Sequence, residues 1–419
     1  MTGVGASSGP VARGSMARVG TATALTALCG YAVIYLAARD LAPGGFSVFG
    51  VFWGAFGLVT GAANGLLQET TREVRATRYF DVLPGPDGAR THPLRVAALV
   101  GAAAAVVIAG SSPLWAARVF VDGRWLSVAL LSVGLAGFCL HATLLGMLAG
   151  TDQWTQYGAL MVTDAAIRVS VAAATFTLGW GLVGFLWATV AGAVAWLVML
   201  VASPAARLAA RLMTPGGTAT FLRGAAHSIT AAGASAILVM GFPVLLKLTS
   251  TELGAPGGVI ILAVTLTRAP LLVPLTAMQG NLIAHFVDER NDRLRALIAP
   301  AGVIGSIGAV GVLAAGVVGP WLLRIGFGAQ YQAGGALLAW LTAAAVAIAM
   351  LTLTGAATVA AALHRAYSLG WVVATVASGL LLLLPLPLPA RTVVGLLCGP
   401  LVGIGVHLAA LGRAGRITG

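Results

Sequence analysis

Twelve runs of about 20 mostly apolar residues constrain this chain more than any other feature of its sequence. A helix rises about 1.5 Å per residue, so each run is long enough to cross the hydrocarbon core of a bilayer. Only 9% of the residues are charged, whereas a soluble domain carries about 25% and uses them to cover its surface. The pattern predicts an all-α polytopic membrane protein with spans at 19–38, 45–67, 95–117, 125–149, 157–179, 181–203, 225–248, 257–285, 296–323, 334–362, 366–385 and 391–411.

The basic residues between the runs predict the orientation. With a cytoplasmic N-terminus, 16 of the 24 lysines and arginines fall in cytoplasmic segments, six fall in outer segments, and two lie inside runs. The positive-inside rule favours this arrangement, and an even number of spans then places both termini in the cytoplasm. The net charge of +12 would suggest a nucleic-acid partner in a soluble protein. Here topology accounts for it, and no nucleic-acid partner is expected.

Two features recur about half a chain apart and predict an internal repeat. The third run ends Pro113-Leu114-Trp115 and the ninth ends Pro320-Trp321, while Asn64-Gly65 and Gln279-Gly280 each precede a charged segment. We therefore expect two six-helix lobes around a central cavity, with substrate sites between the lobes near the midplane. The expected divisions are a disordered cytoplasmic tail at 1–18, an N-terminal lobe at 19–203, a cytoplasmic linker at 204–224, a C-terminal lobe at 225–411 and a cytoplasmic tail at 412–419.

The sequence offers no recognisable catalytic or metal-binding motif. There is no glycine-rich phosphate loop of the Walker type, so ATP bound to this chain is not expected to drive any transport. Cys29, Cys139 and Cys398 lie inside apolar runs at a spacing that does not fit a metal site. We expect no catalytic residue, no metal and no cofactor.

Three charged residues inside the spans need an explanation, because a charge at the centre of a bilayer costs about 2.5–3.5 kcal/mol on insertion scales. Asp164 and Arg168 are four residues apart, so they share a helix face and can neutralise each other. Arg268 has no acidic residue in its own run. A guanidinium binds phosphate through two hydrogen bonds and stays protonated, which suits a diphosphate headgroup. Arg168 and Arg268 are therefore expected to bind substrate in one shared cavity, and Asp164 either holds the bundle together or carries a coupling proton.

Four further polar residues are weaker candidates. Asn64 and Gln279 lie near the cytoplasmic ends of their runs, where they either contact substrate or are simply solvated amides. Arg39 and Asp40 follow the first run and form either an outer gate or a capped turn.

Four stretches carry a resemblance to a known family. They are the segment AARDLAPGGFSVFG at 37–50, the segment from Gly146 to Tyr157, the LTRAPLL motif at 266–272 with its continuation to Gln279, and GPWLLRIGFGAQY at 319–331. The chain resembles the polysaccharide-exporter branch of the multidrug/oligosaccharidyl-lipid/polysaccharide flippase superfamily. The resemblance implies two six-helix lobes, a V-shaped central cavity, alternating access and a polyprenyl-diphosphate-linked sugar as substrate. Lipid-II flippases of the same superfamily have two further C-terminal helices, so we expect the polysaccharide branch instead.

The leading hypothesis is therefore a multi-pass transporter of the cytoplasmic membrane. It would flip a lipid-linked oligosaccharide for cell-envelope polysaccharide biosynthesis, together with a polymerase and glycosyltransferases of the same pathway and the surrounding membrane lipids. One alternative is a cation-coupled multidrug exporter of the same fold, for which more acidic cavity residues are expected. Another is a membrane glycosyltransferase or polymerase, which would need catalytic carboxylates or large outer loops. A non-catalytic scaffold is also compatible with the sequence.

Overall fold

A computed structural model describes residues 10–79, 90–289 and 293–418, and it is helical almost throughout. A two-stranded antiparallel ribbon pairs β1 (Arg90–Thr91) with β2 (Thr214–Pro215). The helices are α1 (Pro10–Asp40), α2 (Pro43–Tyr79), α3 (Pro93–Val119), α4 (Arg124–Gly150), α5 (Trp154–Leu178), α6 (Gly181–Ala191), α7 (Ala195–Ala202), α8 (Pro204–Ala210), α9 (Thr218–Val239), α10 (Phe242–Leu248), α11 (Gly254–Asp288), α12 (Arg293–Ala296), α13 (Ile298–Val317), α14 (Gly319–Phe327), α15 (Gly335–Ala360), α16 (His364–Leu382) and α17 (Leu388–Thr418).

The helices provide the predicted number of spans. Within the described part of the chain, 11 helical segments are long and apolar enough to cross a membrane, and the bent pair α9–α10 makes a twelfth. One span is itself interrupted, because a single 3₁₀ turn, Gly192–Val194, separates α6 from α7. The predicted fold class is confirmed: the protein is an all-α, multi-pass helix bundle.

Contacts between loops agree with the predicted alternation of sides. At the face predicted to be cytoplasmic (the inner face), the two strands join the loop after α2 to the loop before α9, and Arg75 on α2 pairs with Asp152 at 2.5 Å. At the opposite face, predicted to be external (the outer face), the Tyr331 hydroxyl donates to the Leu41 carbonyl over 2.9 Å. Each contact joins two segments that the hydropathy pattern places on the same side of the membrane.

Helix α2 runs along the C-terminal half of the chain although it belongs to the first six spans. It contacts α9, α10 and α11 as well as α4. Its contact face is a row of glycines, against which neighbouring backbone and side chains lie so closely that added Cβ atoms would overlap or press upon them. The row and its partners are Gly50 against Ile261, Gly54 against Pro243, Gly57 against Met240, Gly61 against Ala236, and Gly65 against the Ser228–Ile229 backbone. Small residues of this kind let membrane helices approach closely.

Several predicted boundaries were wrong. The first helix begins at Pro10, so residues 10–18 are helical rather than disordered, while residues 1–9 lie outside the described part. The predicted linker 204–224 contains α8, β2 and the first turns of α9. Residues 412–418 continue α17 instead of forming a separate tail, and residue 419 is not described. In each case the helix extends beyond the apolar run into more polar residues, where the hydropathy falls.

Candidate functional site

A cavity of about 320 Å³ opens among the first six spans. Its wall comes from α1, α2, α5 and α6, and the residue at the α9–α10 bend closes one side. Its lining includes the aromatic residues Trp53 and Phe56, the charged residues Asp164 and Arg168, and Met240 at the bend. The described lining therefore comes from the N-terminal spans and from the bend in the seventh span.

Arg168 is held on one side of this cavity by an ion pair within α5. Its Nε donates to Asp164 Oδ2 over 2.9 Å, and its Nη2 donates to Oδ1 over 3.0 Å. Its Nη1 donates to the carbonyl of Thr189 on α6, and the guanidinium lies 5.2 Å from the centre of the Phe56 ring. Gly192, in the 3₁₀ turn, leaves space for the ion pair, because a side chain at this position would overlap it. The two side chains are 13% and 12% exposed, which leaves part of the guanidinium accessible from the cavity.

Arg268 on α11 has different interaction partners from Arg168. Its side chain reaches the end of α9, where Nη1 donates to the Val239 carbonyl over 3.0 Å, and its guanidinium lies 5.3 Å from the Phe242 ring centre. These two partners flank the bend between α9 and α10. The residue is 8% exposed, and its Nη2 is buried without a hydrogen-bond partner in the described structure. No acidic side chain of the described residues forms an ion pair with it within 4.0 Å.

The two arginines do not share this cavity. Arg168 is 14 residues from the start of α5 and Arg268 is 14 residues from the start of α11, so each lies about 21 Å along its helix, counted from opposite faces of the bundle. Arg168 lines the cavity, whereas Arg268 is absent from the described lining. The bend residue Met240 lines the cavity and is 51% exposed, whereas Arg268 contacts Val239 and Phe242 on either side of that bend. A chamber shared by the two arginines stays a prediction.

Three of the four weaker candidates, Asn64, Arg39 and Asp40, are absent from the described lining of the cavity. Asn64 is half-buried on α2, where the next residue packs against α9. Gln279 belongs to α11, and its side chain lies outside the described residues. Arg39 and Asp40 end α1 and are both exposed. Their roles in binding or gating remain predictions.

Sequence reasoning missed three residues near these groups. Tyr31 on α1 interacts electrostatically with Arg268 and follows Gly30, which lines the cavity. His141 on α4 is buried, its ring stacks on Phe138 at 5.3 Å between centroids, and it interacts electrostatically with Asp164 and Arg168. Tyr331 is fully buried and fixes the outer end of α1 to the loop before α15. A histidine in the middle of an apolar run was the one signal that could have drawn attention to His141.

The buried Tyr331 explains the FGAQY motif at 327–331. Its ring contacts Phe46 at 5.9 Å and Phe327 at 6.3 Å between centroids, and Phe327 contacts Tyr35 at 5.6 Å. Burial raises the pKa of the Tyr331 hydroxyl, so the group stays protonated and can donate to the Leu41 carbonyl. These contacts join the first span to the C-terminal half at the outer face, where the sequence suggested a gate at Arg39 and Asp40.

Comparison with known proteins places the chain in a family. No family model matches it. It is 81% identical over 409 residues to the Mycobacterium tuberculosis protein named Uncharacterized protein Rv3630, and the match covers 98% of this chain and 94% of that protein. It is 74% identical over 416 residues to Uncharacterized protein Rv1510 of the same species, covering 99% and 96%. The chain belongs to the family of these mycobacterial proteins.

The fold of this mycobacterial family is shared with solved transporters. An inward-facing multidrug resistance MATE family transporter of the MOP superfamily superposes with a TM-score of 0.73 at 15% identity, covering 94% of this chain and 96% of that one. An outward-facing form of such a transporter gives 0.66 at 16% identity, covering 96% of both chains. A MOP superfamily transporter from Pyrococcus furiosus, described as having a binding pocket of reverse polarity, gives 0.62 at 13% identity and the same coverage. The protein thus has the fold of these MATE transporters.

Proposed function

We propose that this protein is a membrane transporter that flips a polyprenyl-diphosphate-linked oligosaccharide by alternating access. In this proposal Arg268 and Arg168 bind the diphosphate, the glycan occupies the cavity, and the lipid tail stays in the bilayer. The MOP-superfamily fold supports the transporter class. The charges of the deep polar residues support an anionic substrate.

The observation that carries the proposal is the uncompensated charge of Arg268. Asp164 is already neutralised by Arg168, whereas Arg268 is buried with no acidic partner among the described residues and with one nitrogen lacking a hydrogen bond. A buried charge without a partner is unfavourable by several kcal/mol. An incoming phosphate would supply both the opposite charge and the missing acceptor, because a guanidinium can hydrogen-bond phosphate through two nitrogens.

The bend between α9 and α10 gives Arg268 a route to the cavity. The helices meet at 67°, and Arg268 is tied to this break through backbone carbonyls rather than through an ion pair. A small rotation of α10 that moves Met240 aside would join the Arg268 site to the cavity that Arg168 lines. The cavity is also lined by the aromatic side chains of Trp53 and Phe56, and aromatic lining of this kind is typical of ligand pockets.

Flipping in proteoliposomes tests the proposal. The probe is a short-chain polyprenyl-diphosphate disaccharide carrying a fluorophore that membrane-impermeant dithionite bleaches in the outer leaflet. We expect the wild type to make the inner-leaflet pool bleachable, and Arg268→Ala to lower the rate about 100-fold through the loss of a charge-assisted phosphate contact. The matched control is Arg118→Ala, which removes an exposed arginine at the outer end of α3. Wild-type rates equal to those of protein-free vesicles, or a fully active and folded Arg268→Ala, would refute the proposal.

A multidrug exporter is the second candidate. It is favoured by the solved neighbours described as multidrug resistance transporters and by Asp164, a carboxylate that lines the cavity. The same vesicles loaded with ethidium distinguish the two. Ethidium transport that is lost in Asp164→Asn, combined with no flipping of the diphosphate probe by the wild type, would favour the exporter.

The leading proposal also places the protein in its pathway. A flippase of this kind would lie in the cytoplasmic membrane with both termini in the cytoplasm. It would receive substrate from glycosyltransferases and deliver it to a polysaccharide polymerase outside.

A further inference from the structure

His407 is a fully buried histidine in the core of the last three spans. It lies on α17, seven residues before the end of that span at Ala414, which is about 10 Å from the inner end. Its Nδ1 is 3.0 Å from the Thr354 hydroxyl on α15, and its Nε2 is 3.2 Å from the Tyr367 carbonyl on α16. Both ring nitrogens therefore have hydrogen-bond partners within the protein.

The identity of these partners allows both protonation states of the ring. A carbonyl oxygen only accepts, so Nε2 carries a proton in either state. The Thr354 hydroxyl has one proton and three acceptors within reach, because its oxygen is also 3.0 Å from the Met350 carbonyl and 3.1 Å from the Leu351 carbonyl. When it donates to Nδ1, the imidazole is neutral. When it turns to Met350, it accepts a proton from Nδ1 and the imidazolium is fully hydrogen-bonded. Rotation of one hydroxyl thus adapts the site to a bound proton.

The surroundings of His407 leave room for the ring and place no ion beside it. A side chain at Gly370 would collide with the imidazole, and one at Gly355 would lie 3.5 Å from it. The packed helices α15 and α16 face it with Thr354 and with Tyr367, whose ring lies parallel at 6.3 Å between centroids. Tyr367 is the titratable group that faces it, and no charged side chain among the described residues has a resolved electrostatic effect on it. A proton bound by His407 therefore adds a positive charge at this position instead of neutralising a nearby carboxylate.

The site lies beside α9, the helix that ends at the bend. Helix α16, which carries Tyr367, packs against α9, and Ser235 on α9 is close enough to the Tyr367 hydroxyl to affect the titration of that hydroxyl. Ser235 is four residues, about one helical turn, before Val239, whose carbonyl accepts from Arg268 at the bend. Tyr367 and α9 therefore link the surroundings of His407 to those of Arg268.

We propose that His407 is the proton-binding site of this transporter, and that proton binding there moves α16 against the last turn of α9 and so changes the position of Arg268 at the bend. The proposal rests on the transport function proposed above for its coupling step, but not for its proton-binding step. It assigns proton coupling to the C-terminal helices, away from the ion pair of Asp164 and Arg168.

The proton-binding step is tested without transport. Protein labelled with ¹⁵N-histidine, which contains six such residues, is placed in lipid and followed by magic-angle-spinning NMR as pH is changed. We expect one ring, identified by its absence in His407→Gln, to convert from imidazole to imidazolium as the pH is lowered. Thr354→Val removes the acceptor for the Nδ1 proton and should suppress that conversion. A His407 ring that stays neutral throughout would overturn the proposal and leave the residue a packing element.

The coupling step is tested by flipping of the diphosphate probe with and without a pH gradient across the vesicle membrane. We expect the gradient to change the wild-type rate by about fivefold or more, the low end of common coupling factors, and the ratio to fall to unity in His407→Gln and in Thr354→Val. The matched control His364→Gln, at an exposed histidine where α16 begins, should keep the wild-type ratio. A wild-type ratio retained by folded His407→Gln would overturn the coupling. A wild type that moves no probe in either condition refutes the proposed substrate instead, and the NMR titration then decides the proton site alone.

Discussion

The ion pair on α5 gives the sharpest prediction about stability. Arg168→Ala, Asp164→Ala and the double variant form a double-mutant cycle. Arg168→Ala leaves a carboxylate that is 12% exposed without its two guanidinium contacts. Asp164→Ala leaves a guanidinium that still donates to the Thr189 carbonyl and still lies 5.2 Å from the Phe56 ring centre. The two single variants should therefore differ, with the arginine variant the less stable.

The magnitudes follow from what each variant leaves unpaired. Removing one partner of a buried pair costs about 3–5 kcal/mol, and a value of about 4 kcal/mol is expected for Arg168→Ala. Hydrogen bonds to a charged group contribute about 1.5–3 kcal/mol, so Asp164→Ala should cost about 2 kcal/mol. The double variant loses packing but leaves no lone charge, and we expect a cost of about 3 kcal/mol, with a coupling energy of about 3 kcal/mol between the sites.

Unfolding in mixed micelles of dodecylmaltoside and SDS, followed by circular dichroism, measures these differences. The expected signature is that the double variant is more stable than Arg168→Ala although it lacks more atoms. Arg118→Ala on the exposed end of α3 serves as the control for loss of an arginine as such. Strictly additive single effects would mean that the two side chains do not pair in the folded protein, and the account of this wall of the cavity would be wrong.

Two further predictions use the same unfolding measurement. Gly65→Ala should destabilise the protein by about 1–3 kcal/mol, because its methyl group would overlap the backbone of α9, whereas Gly110→Ala has open space around it and should show no loss. A tolerated Gly65→Ala would contradict the close α2–α9 packing. Tyr331→Phe should cost about 1–3 kcal/mol, since it leaves the Leu41 carbonyl without its donor at a buried position, and wild-type stability in that variant would show the outer contact to be dispensable.

The number and order of the spans were predictable, because hydrocarbon forces the backbone into helices of a minimum length. The bend in the seventh span was harder to predict. The run 225–248 contains Gly241 and Pro243, but proline in a membrane helix is tolerated with or without a large bend. Polar residues at the ends of runs gave the other errors, since α9 and α17 continue as helices beyond their apolar segments.

The candidate site was predicted in part. The four-residue spacing of Asp164 and Arg168 placed them on one face, and the pair is observed. The direction of Arg268 was not predictable, because α11 is apolar on all sides and its periodicity does not indicate which face meets the cavity. His407 gave no signal for a related reason: near the end of an apolar run, a histidine has the same sequence context whether it faces water or is buried between three helices.

The glycine row on α2 has a mechanical consequence. When the side chains of two helices interdigitate, one helix can move past the other only by a whole turn, about 5.4 Å. The glycines of α2 contribute no side chains to such an interdigitation, so the alternating access proposed above would move α9 and α11 along α2 against fewer steric barriers.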